Sequence, residues 1–302
     1  FFYFFREQYL KIALIILLMV AAVNTALTYQ RNKIWKNEYT LWDDCLKKSP
    51  DKARAHNERG NAYTELGLYR QAIEDFNKAI SLNHNYDKAY YNRGTAYSKL
   101  GQYQQTINDC SEAIRLKPDY AKAYNNRGSA YATLGQYQRA IADFNEAIRL
   151  QPDYAPVYYN RGNIYNNLGQ YQLAIEDFNN TIRLSPDYSI AYNSRGVIYG
   201  KLKQYQRAID DFNKAIDLNP GYFKVYNNRG FAYAMLGQYP RAIENYSRAI
   251  NMEPDYFPAY DNRANLYFNH ANKKLGCLDA QKACELGNCK TLENAERKGY
   301  CR

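Results

Sequence analysis

The chain has 302 residues, a formal net charge of +10, 33 tyrosines and only nine prolines. Its lysines and arginines are scattered rather than grouped into a basic stripe, which argues against a nucleic-acid-binding protein. A strict internal period predicts one quasi-linear array of units instead of the two domains that this length would otherwise suggest.

Residues 1–29 are predicted to form a membrane segment. Ile12 to Tyr29 is a stretch of 18 residues without a charge, close to the roughly 20 that a helix needs to cross a bilayer. A cleaved signal peptide is the alternative, although the preceding FFYFF is unlike a basic leading region. The basic residues on either side give a slight preference for a cytoplasmic location of the C-terminal part of the chain; they are Arg6, Lys11, Arg31, Lys33 and Lys36.

A seven-residue motif, GQYQRAI at Gly135 to Ile141, recurs every 34 residues in close variants. Apolar residues spaced by three and four predict two helices in each unit, with a glycine ending the first and a proline ending the second. In the unit Ala121 to Tyr154, Gly128 and Ala140 are predicted where the two helices cross, and Asp153 is predicted to cap the next helix. One such hairpin cannot bury its apolar faces alone, so neighbouring units must stack.

The period predicts seven units and two flanking helices. The units are 53–86, 87–120, 121–154, 155–188, 189–222, 223–256 and the degenerate 257–286. A half-repeat linking helix at 30–52 precedes them, with Trp42 at the position of the repeated aromatic residue. A capping helix at 287–302 is predicted to close the array.

This pattern resembles the tetratricopeptide repeat, a helix–turn–helix unit of 34 residues. The resemblance rests on a small residue at the eighth position (Gly60 in the first unit, Ala264 in the seventh), a tyrosine three residues later, and the closing proline. It covers residues 53–286. It implies an all-α fold, a right-handed superhelical solenoid of about seven helix hairpins, here preceded by a transmembrane helix.

An arginine stands at the seventh position of every unit, where the family usually has leucine: Arg59, Arg93, Arg127, Arg161, Arg195, Arg229 and Arg263. An aspartate precedes the aromatic position of each second helix, except for Asn245 in the sixth unit. We predict an arginine–carboxylate pair at each helix crossing, because the guanidinium fork holds a carboxylate bidentately. The pairs set the packing register or, alternatively, form a ligand-binding row. Since leucine is usual in the family, Arg127→Leu is expected to be tolerated better than Asp143→Leu.

In this family, stacked first helices line a concave groove, and the resemblance places its side chains at the fifth and ninth positions. The predicted partner-binding residues are Asn57, Asn61, Tyr91, Thr95, Asn125, Ser129, Tyr159, Asn163, Asn193, Asn227, Phe231, Asp261 and Asn265. The basic residues with which chaperone-binding members hold a C-terminal carboxylate are missing. Amide and tyrosine side chains suit an extended peptide backbone or a glycan; alternatively, the asparagines are simply tolerated on a solvated face.

Four cysteines cluster near the C-terminus: Cys277, Cys284, Cys289 and Cys301. Cys277 and Cys284 lie about 10 Å apart on one helix and cannot bridge each other. This leaves the pairs 277–289 with 284–301, or 277–301 with 284–289; free thiols and a zinc site are the alternatives. Disulfides would imply an oxidising compartment, so the repeats are predicted to be periplasmic or lumenal, with a cytoplasmic location as the alternative.

The chain contains no phosphate-binding loop, no Gly-x-Ser-x-Gly and no histidine pair at metal spacing, so we predict no catalytic residue, cofactor or metal. Its junction from Thr28 to Gly60 resembles the end of polytopic O-mannosyltransferase-like membrane glycosyltransferases that carry C-terminal tetratricopeptide repeats. The chain also starts without methionine, which suggests a fragment or a processed product.

Two functions are predicted for these features. The first is a membrane-tethered protein–protein interaction scaffold, or adaptor, that binds extended protein segments in the groove. The alternative is the substrate-recruiting tail of such a glycosyltransferase, with its catalytic part missing from this chain. In either case the predicted partners are a protein or peptide and a membrane, and this chain itself is not predicted to be an enzyme.

Overall fold

The structure, a computed structural model, describes residues 2–34 and 37–301. Over these ranges the chain forms seventeen helices and no strand, which confirms the predicted all-α fold. The first helices are α1 (Phe2–Ile34), α2 (Glu38–Lys48), α3 (Ala53–Glu65), α4 (Tyr69–Leu82), α5 (Asp87–Lys99), α6 (Tyr103–Leu116), α7 (Ala121–Thr133) and α8 (Tyr137–Leu150). The others are α9 (Ala155–Asn167), α10 (Tyr171–Leu184), α11 (Ser189–Lys201), α12 (Tyr205–Leu218), α13 (Phe223–Met235), α14 (Tyr239–Met252), α15 (Phe257–Asn269), α16 (Lys273–Glu285) and α17 (Lys290–Arg297). Lys36, a basic residue that follows the predicted membrane segment, and Arg302, the end of the predicted capping segment, lie outside the described residues.

Contacts divide the chain into two compact parts, Phe1–Asp143 and Phe144–Arg302. In the N-terminal part, α2 packs on α3, and the hairpins α3–α4 and α5–α6 follow one another, with α7 packed on α6. In the C-terminal part, four hairpins run from α9–α10 to α15–α16, and α17 packs on the last of them. Each part therefore has the successive helix hairpins that the period predicts.

The glycine at the eighth position allows the two helices of a hairpin to approach closely. A Cβ atom added to Gly60 would lie 2.6 Å from Cε1 of Phe76, and one added to Gly196 would lie 2.7 Å from Cε1 of Phe212. Both rings are almost completely buried. Because a buried ring cannot move aside without disturbing its neighbours, a side chain at this position collides with the core.

The seventh unit keeps its core by exchanging the positions of large and small residues. Alanine stands at both the glycine position (Ala264) and the aromatic position (Ala280), and both residues are fully buried. The ring comes instead from Phe268 on the first helix, which lies over Gly276 of the second helix, where an added Cβ would be 2.6 Å from the ring. The degeneracy of this unit is therefore a compensated change of packing.

The turn between the two helices requires a left-handed residue. A glycine with φ between 72° and 74° occupies it at Gly67, Gly101, Gly135, Gly169 and Gly237. In the fifth unit the turn residue is Lys203, which adopts φ 60°. This conformation costs a residue with a Cβ atom about 1 kcal/mol or more. The turn of the seventh unit is similar, with Ala271 at φ 59°. Two turns of the array therefore carry local strain, and one of them also carries a lysine side chain.

The predicted aspartate cap does not form. The residue that caps α9 is Tyr154, which makes no side-chain capping hydrogen bond. Asp153 stands one residue too early, and its backbone oxygen accepts from the N–H of Ala155 at 3.1 Å instead. By contrast, α2 has a complete capping box, in which Asn37 and Thr40 each accept from the other's backbone N–H.

Among the described residues, Lys11–Tyr29 within α1 is the one segment long and apolar enough to cross a membrane. None of it is buried against the rest of the chain. Length and composition alone are also compatible with a signal sequence near an N-terminus.

Candidate functional site

The predicted partner-binding residues lie on the first helices of the hairpins. These are α3, α5 and α7 in the N-terminal part, and α9, α11, α13 and α15 in the C-terminal part. Within each part, the first helices of neighbouring hairpins contact each other. Their fifth, sixth and ninth positions therefore form one face in each part, which we call the groove face.

Several asparagines of the groove face are used inside the protein. In each case the amide at the sixth position of one unit donates 3.0 Å to the amide oxygen at the fifth position of the preceding unit. These bonds run from Asn92 to Asn57, from Asn228 to Asn193 and from Asn262 to Asn227. Asn57 is only 1% exposed, so its amide joins neighbouring first helices and offers little surface to a partner.

In the N-terminal part, the remaining groove residues are mostly polar and packed. The Tyr91 ring lies 4.9 Å from that of Tyr120. Thr95 accepts a hydrogen bond from Asn126 at 3.0 Å, and Asn125 is buried. This part of the groove face presents small polar groups and ring edges.

The C-terminal part of the groove face contains an open cavity of about 410 Å³. Val197 and Phe231, both at the ninth position, line it together with Phe212 and Ala232. Phe231 is 45% exposed, so much of its ring is open to solvent on this face. The amides of Asn227, Asn228 and Asn262 border these apolar residues. Asn228 and Asn262 each use one N–H in the bond to the preceding unit, and each keeps a second N–H and its amide oxygen. The cavity thus combines an apolar floor with hydrogen-bonding groups beside it.

Two lysines and no acidic residue line this cavity. Lys201 donates to Asn166 at 2.9 Å and lies 5.3 Å from the ring centre of Tyr171. Lys203 is exposed and occupies the left-handed position of the turn between α11 and α12. The rim is therefore positively charged. Periodicity alone could not identify it, because Lys203 departs from the repeat.

The predicted arginine–carboxylate pairs are present in six of the seven units. In the third unit, Nε and Nη2 of Arg127 donate to the two oxygens of Asp143, each at 2.8 Å. These hydrogen bonds outweigh burial and raise the pKa of Arg127. In the sixth unit, Asn245 replaces the carboxylate and accepts from Nε of Arg229 at 2.8 Å.

The arginines at the seventh positions, which we call the ladder arginines, also bind the preceding unit or, for Arg59, the helix α2. This contact was not expected from the sequence. In each case, Nη1 of the arginine donates to the residue 16 positions earlier; these acceptors are Asp43, Asn77, Ser111, Asn145, Asn179, Asn213 and Ser247. All seven residues are short and carry an oxygen, a pattern that could have been recognised. With its three nitrogens engaged, an arginine such as Arg161 joins three helices, which supports the packing interpretation over the ligand-binding row.

His56 is the one buried histidine among the described residues, and two hydrogen-bond contacts hold its ring in place. Its Nδ1 lies 2.9 Å from Asp75 Oδ1, and its Nε2 lies 2.8 Å from the backbone oxygen of Pro50. Tyr158 and Tyr226, at the same position of later units, donate to the equivalent proline oxygens. The histidine therefore takes over a hydrogen bond that tyrosine makes elsewhere in the array.

The C-terminal cysteines form two disulfides in the structure, Cys277–Cys301 and Cys284–Cys289. Their Cα atoms are 5.6 Å and 4.0 Å apart. This is the second of the two predicted pairings, 277–301 with 284–289. The first bond ties α16 to the residues after α17, and the second closes the turn between these helices.

Comparison with known families and structures is consistent with this architecture. Sequence models described as tetratricopeptide repeat match residues 87–120, 121–154, 155–188, 189–222 and 223–256, and one described as TPR repeat matches 60–101. The five segments begin and end at the same residues as the predicted second to sixth units. No curated protein matches the chain by sequence.

Several solved structures share the fold. The APC/C hetero-tetramer Cut9–Hcn1 has a TM-score of 0.66 at 21% identity, and the match covers 78% of this chain but only 46% of that one. A tetratricopeptide repeat protein from Parabacteroides merdae has a TM-score of 0.61 at 22% identity, with 80% and 95% covered. YrrB, described as a TPR protein with an unusual peptide-binding site, has 0.52 at 24% identity, with 62% and 96% covered. At these identities the similarity concerns the fold alone. The repeat matches, which span more than half of the chain, show that it belongs to the tetratricopeptide repeat family.

Proposed function

We propose that this chain is a membrane-tethered interaction scaffold whose groove face binds an extended protein segment. Tetratricopeptide repeats are typically non-catalytic interaction modules, and stacked repeats present long binding surfaces. The observation that carries the proposal is the open cavity around Phe231. A large exposed ring beside hydrogen-bonding amides is the arrangement expected of a site that anchors a side chain and the backbone next to it.

The cavity also suggests what the segment contains. Its apolar floor of Val197, Phe212 and Phe231 suits a large aliphatic or aromatic side chain. The two rim lysines favour acidic residues beside that anchor, because no acidic residue of the chain lines the cavity. The proposed ligand is therefore an extended acidic segment with one large apolar residue.

This proposal can be tested with a panel of capped decapeptides and the full chain in nanodiscs. The peptides carry a central Phe, Leu or Ser between Asp, Ser or Lys flanks. Binding, measured by fluorescence anisotropy, is expected to be tightest for Phe or Leu between aspartates. Phe231→Asn, which introduces the residue found at this position in the fourth unit (Asn163), should weaken that binding at least tenfold.

A matched control removes an exposed ring elsewhere. Phe257 is 37% exposed at the first position of α15, where the first, third and fourth units have alanine, so Phe257→Ala should leave the affinity unchanged. Equal binding by the Ser-centred and Phe-centred peptides would contradict the proposal, as would wild-type affinity in Phe231→Asn.

The proposed membrane tether is the apolar part of α1, Lys11–Tyr29, which the rest of the chain leaves uncovered. We further propose an extracytoplasmic location for the repeats. The paired cysteines support it, since disulfides persist mainly in oxidising compartments.

Thiol labelling at pH 8 provides the measurement. Only Cys45, which is partly exposed, should react in the native chain, because Cys110 is fully buried and burial raises its pKa to about 12. Cys110 should become reactive in denaturant, and the remaining four cysteines only after a reductant is added. Four further thiols in the unreduced, denatured chain would exclude the disulfides and the oxidising compartment inferred from them.

A second candidate function is the substrate-recruiting tail of a polytopic membrane glycosyltransferase. The observation that favours it is the sequence of the junction from Thr28 to Gly60, with its resemblance to such enzymes. The apparent mass of the natural product, on a blot of a C-terminally tagged copy, distinguishes the two. A band near 35.2 kDa supports the tethered scaffold, and a band about twice as heavy supports the enzyme tail.

A further inference from the structure

Arg229 is the only ladder arginine without a carboxylate partner in the described part of the chain. In the other six units, an aspartate accepts from Nε of the arginine. In the sixth unit, Asn245 has a single oxygen, which accepts from Nε of Arg229, and its Nδ2 donates to the backbone oxygen of Arg241 at 2.7 Å. Within the described residues, Nη2 of Arg229 consequently has no acceptor, and the guanidinium charge is not balanced by an ion pair.

A cavity of about 420 Å³ opens beside this arginine, away from the groove face. It is lined by Tyr226, Arg229, Glu244, Asn245, Ser247, Arg248 and Asn251. Ser247 is already engaged, since it accepts from Arg263 and donates to the backbone oxygen of Ile243, both at 2.7 Å. Arg248 is exposed, and neither it nor Asn251 has a hydrogen-bond partner among residues 37–301. The donors left for a ligand are thus those of Arg229, Arg248 and Asn251.

We propose that this cavity binds an oxyanion, a carboxylate or phosphate group, in place of the missing aspartate carboxylate. One ligand oxygen would accept from Nη2 of Arg229 and another from the guanidinium of Arg248. Guanidinium groups bind both kinds of oxyanion through paired, charge-assisted hydrogen bonds. Glu244 is the one acidic residue in the lining, and it is exposed. Among residues 37–301 it forms no ion pair with either arginine, and two guanidinium groups against one carboxylate leave the cavity with a net positive charge.

A substitution taken from the other units of the array tests this proposal. Asn245→Asp introduces the residue found at this position in the other six units, so the chain should fold and the bidentate pair with Arg229 should be restored. The ligand would then compete with an internal carboxylate at the same donor. We expect the variant to bind phosphate at least tenfold more weakly than the wild type.

The experiment compares the melting temperature of the full chain in detergent micelles in phosphate, in acetate and in chloride of equal ionic strength. Phosphate also stabilises proteins in general, so the informative quantity is the saturable rise that is present in the wild type and absent in Asn245→Asp. Near saturation this difference should reach about 2 °C or more. A larger effect of phosphate identifies a phosphate group as the ligand, and a larger effect of acetate identifies a carboxylate.

Two further variants separate the site from a general effect of charge. Arg248→Asn, with the residue of the fourth unit (Asn180), should reduce the saturable rise. Arg207→Gln changes the net charge as much as Asn245→Asp does, uses the residue at the same position in the first and second units, and should leave the rise unchanged. The proposal is overturned if the wild type and Asn245→Asp respond alike, or if Arg207→Gln loses as much as Asn245→Asp.

Discussion

Replacing Arg127 by leucine is expected to lower the free energy of unfolding by about 3 kcal/mol, the usual scale for removing one partner of a buried ion pair. The variant leaves the carboxylate of Asp143 without its counter-ion, and this side chain is only 9% exposed. It also breaks the hydrogen bond to Ser111 in the preceding unit. Urea unfolding of the full chain, followed by circular dichroism, measures the loss.

The contacts of this pair lead us to expect the opposite of what leucine's frequency in the family suggests. In Asp143→Leu, the arginine that remains is 19% exposed and keeps Ser111, so its charge can reach water. Arg127→Leu should therefore be the more harmful of the two. Asp143→Asn provides the matched control, because it reproduces the pairing of Arg229 with the uncharged Asn245, leaves no buried carboxylate and should cost only about 1 kcal/mol. Equal losses in Arg127→Leu and Asp143→Asn would show that the buried charge is not the source of the effect.

Adding a single methyl group at Gly196 is expected to destabilise the chain by about 2 kcal/mol. The new Cβ atom would lie 2.7 Å from Cε1 of Phe212 and 3.2 Å from Cβ of Asp211. Overpacking of this kind costs about 1–3 kcal/mol, more than the gain of up to about 1 kcal/mol that alanine brings to a helix. The Gly196→Ala variant can be measured by the same urea titration.

The second unit contains the matched control for this variant. There the aromatic position is occupied by Cys110, and a Cβ at Gly94 would lie 3.3 Å from its Sγ and 3.2 Å from Cβ of Asp109. The contact is tight but leaves room for a small adjustment, so Gly94→Ala should be close to neutral. A loss at Gly94 as large as that at Gly196 would show that the ring is not the obstacle.

Much of the fold could be predicted because each signal lies within one unit. The spacing of apolar residues by three and four predicted the helices, and the constant separation of arginine and aspartate predicted their pairs. The contact of each arginine with the preceding unit depends on how hairpins stack, which no single unit encodes. For the same reason, the burial of Asn57 by Asn92 could not be read from the fifth position alone.

The candidate site was predicted less completely than the fold. The ninth position of the groove face included Phe231, but the cavity is also lined by Lys203, whose turn departs from the repeat. The exchange of sizes in the seventh unit was likewise unpredicted, because Phe268 compensates for Ala280 across two helices. Both cases depend on residues of single units that differ from the repeated pattern, and a prediction based on that pattern does not include them.

The contacts of the ladder arginines also constrain how such an array can change in length over evolution. Each arginine is bonded to residues 16 positions before and 16 positions after its own, one in the preceding unit and one in its own. Duplication or deletion of a whole 34-residue unit keeps every one of these bonds, wherever in the unit the recombination point falls. An insertion of any other length inside a hairpin separates an arginine from one of its acceptors. The ladder therefore favours gene rearrangements that add or remove whole 34-residue units, a stricter condition than keeping the codons in frame.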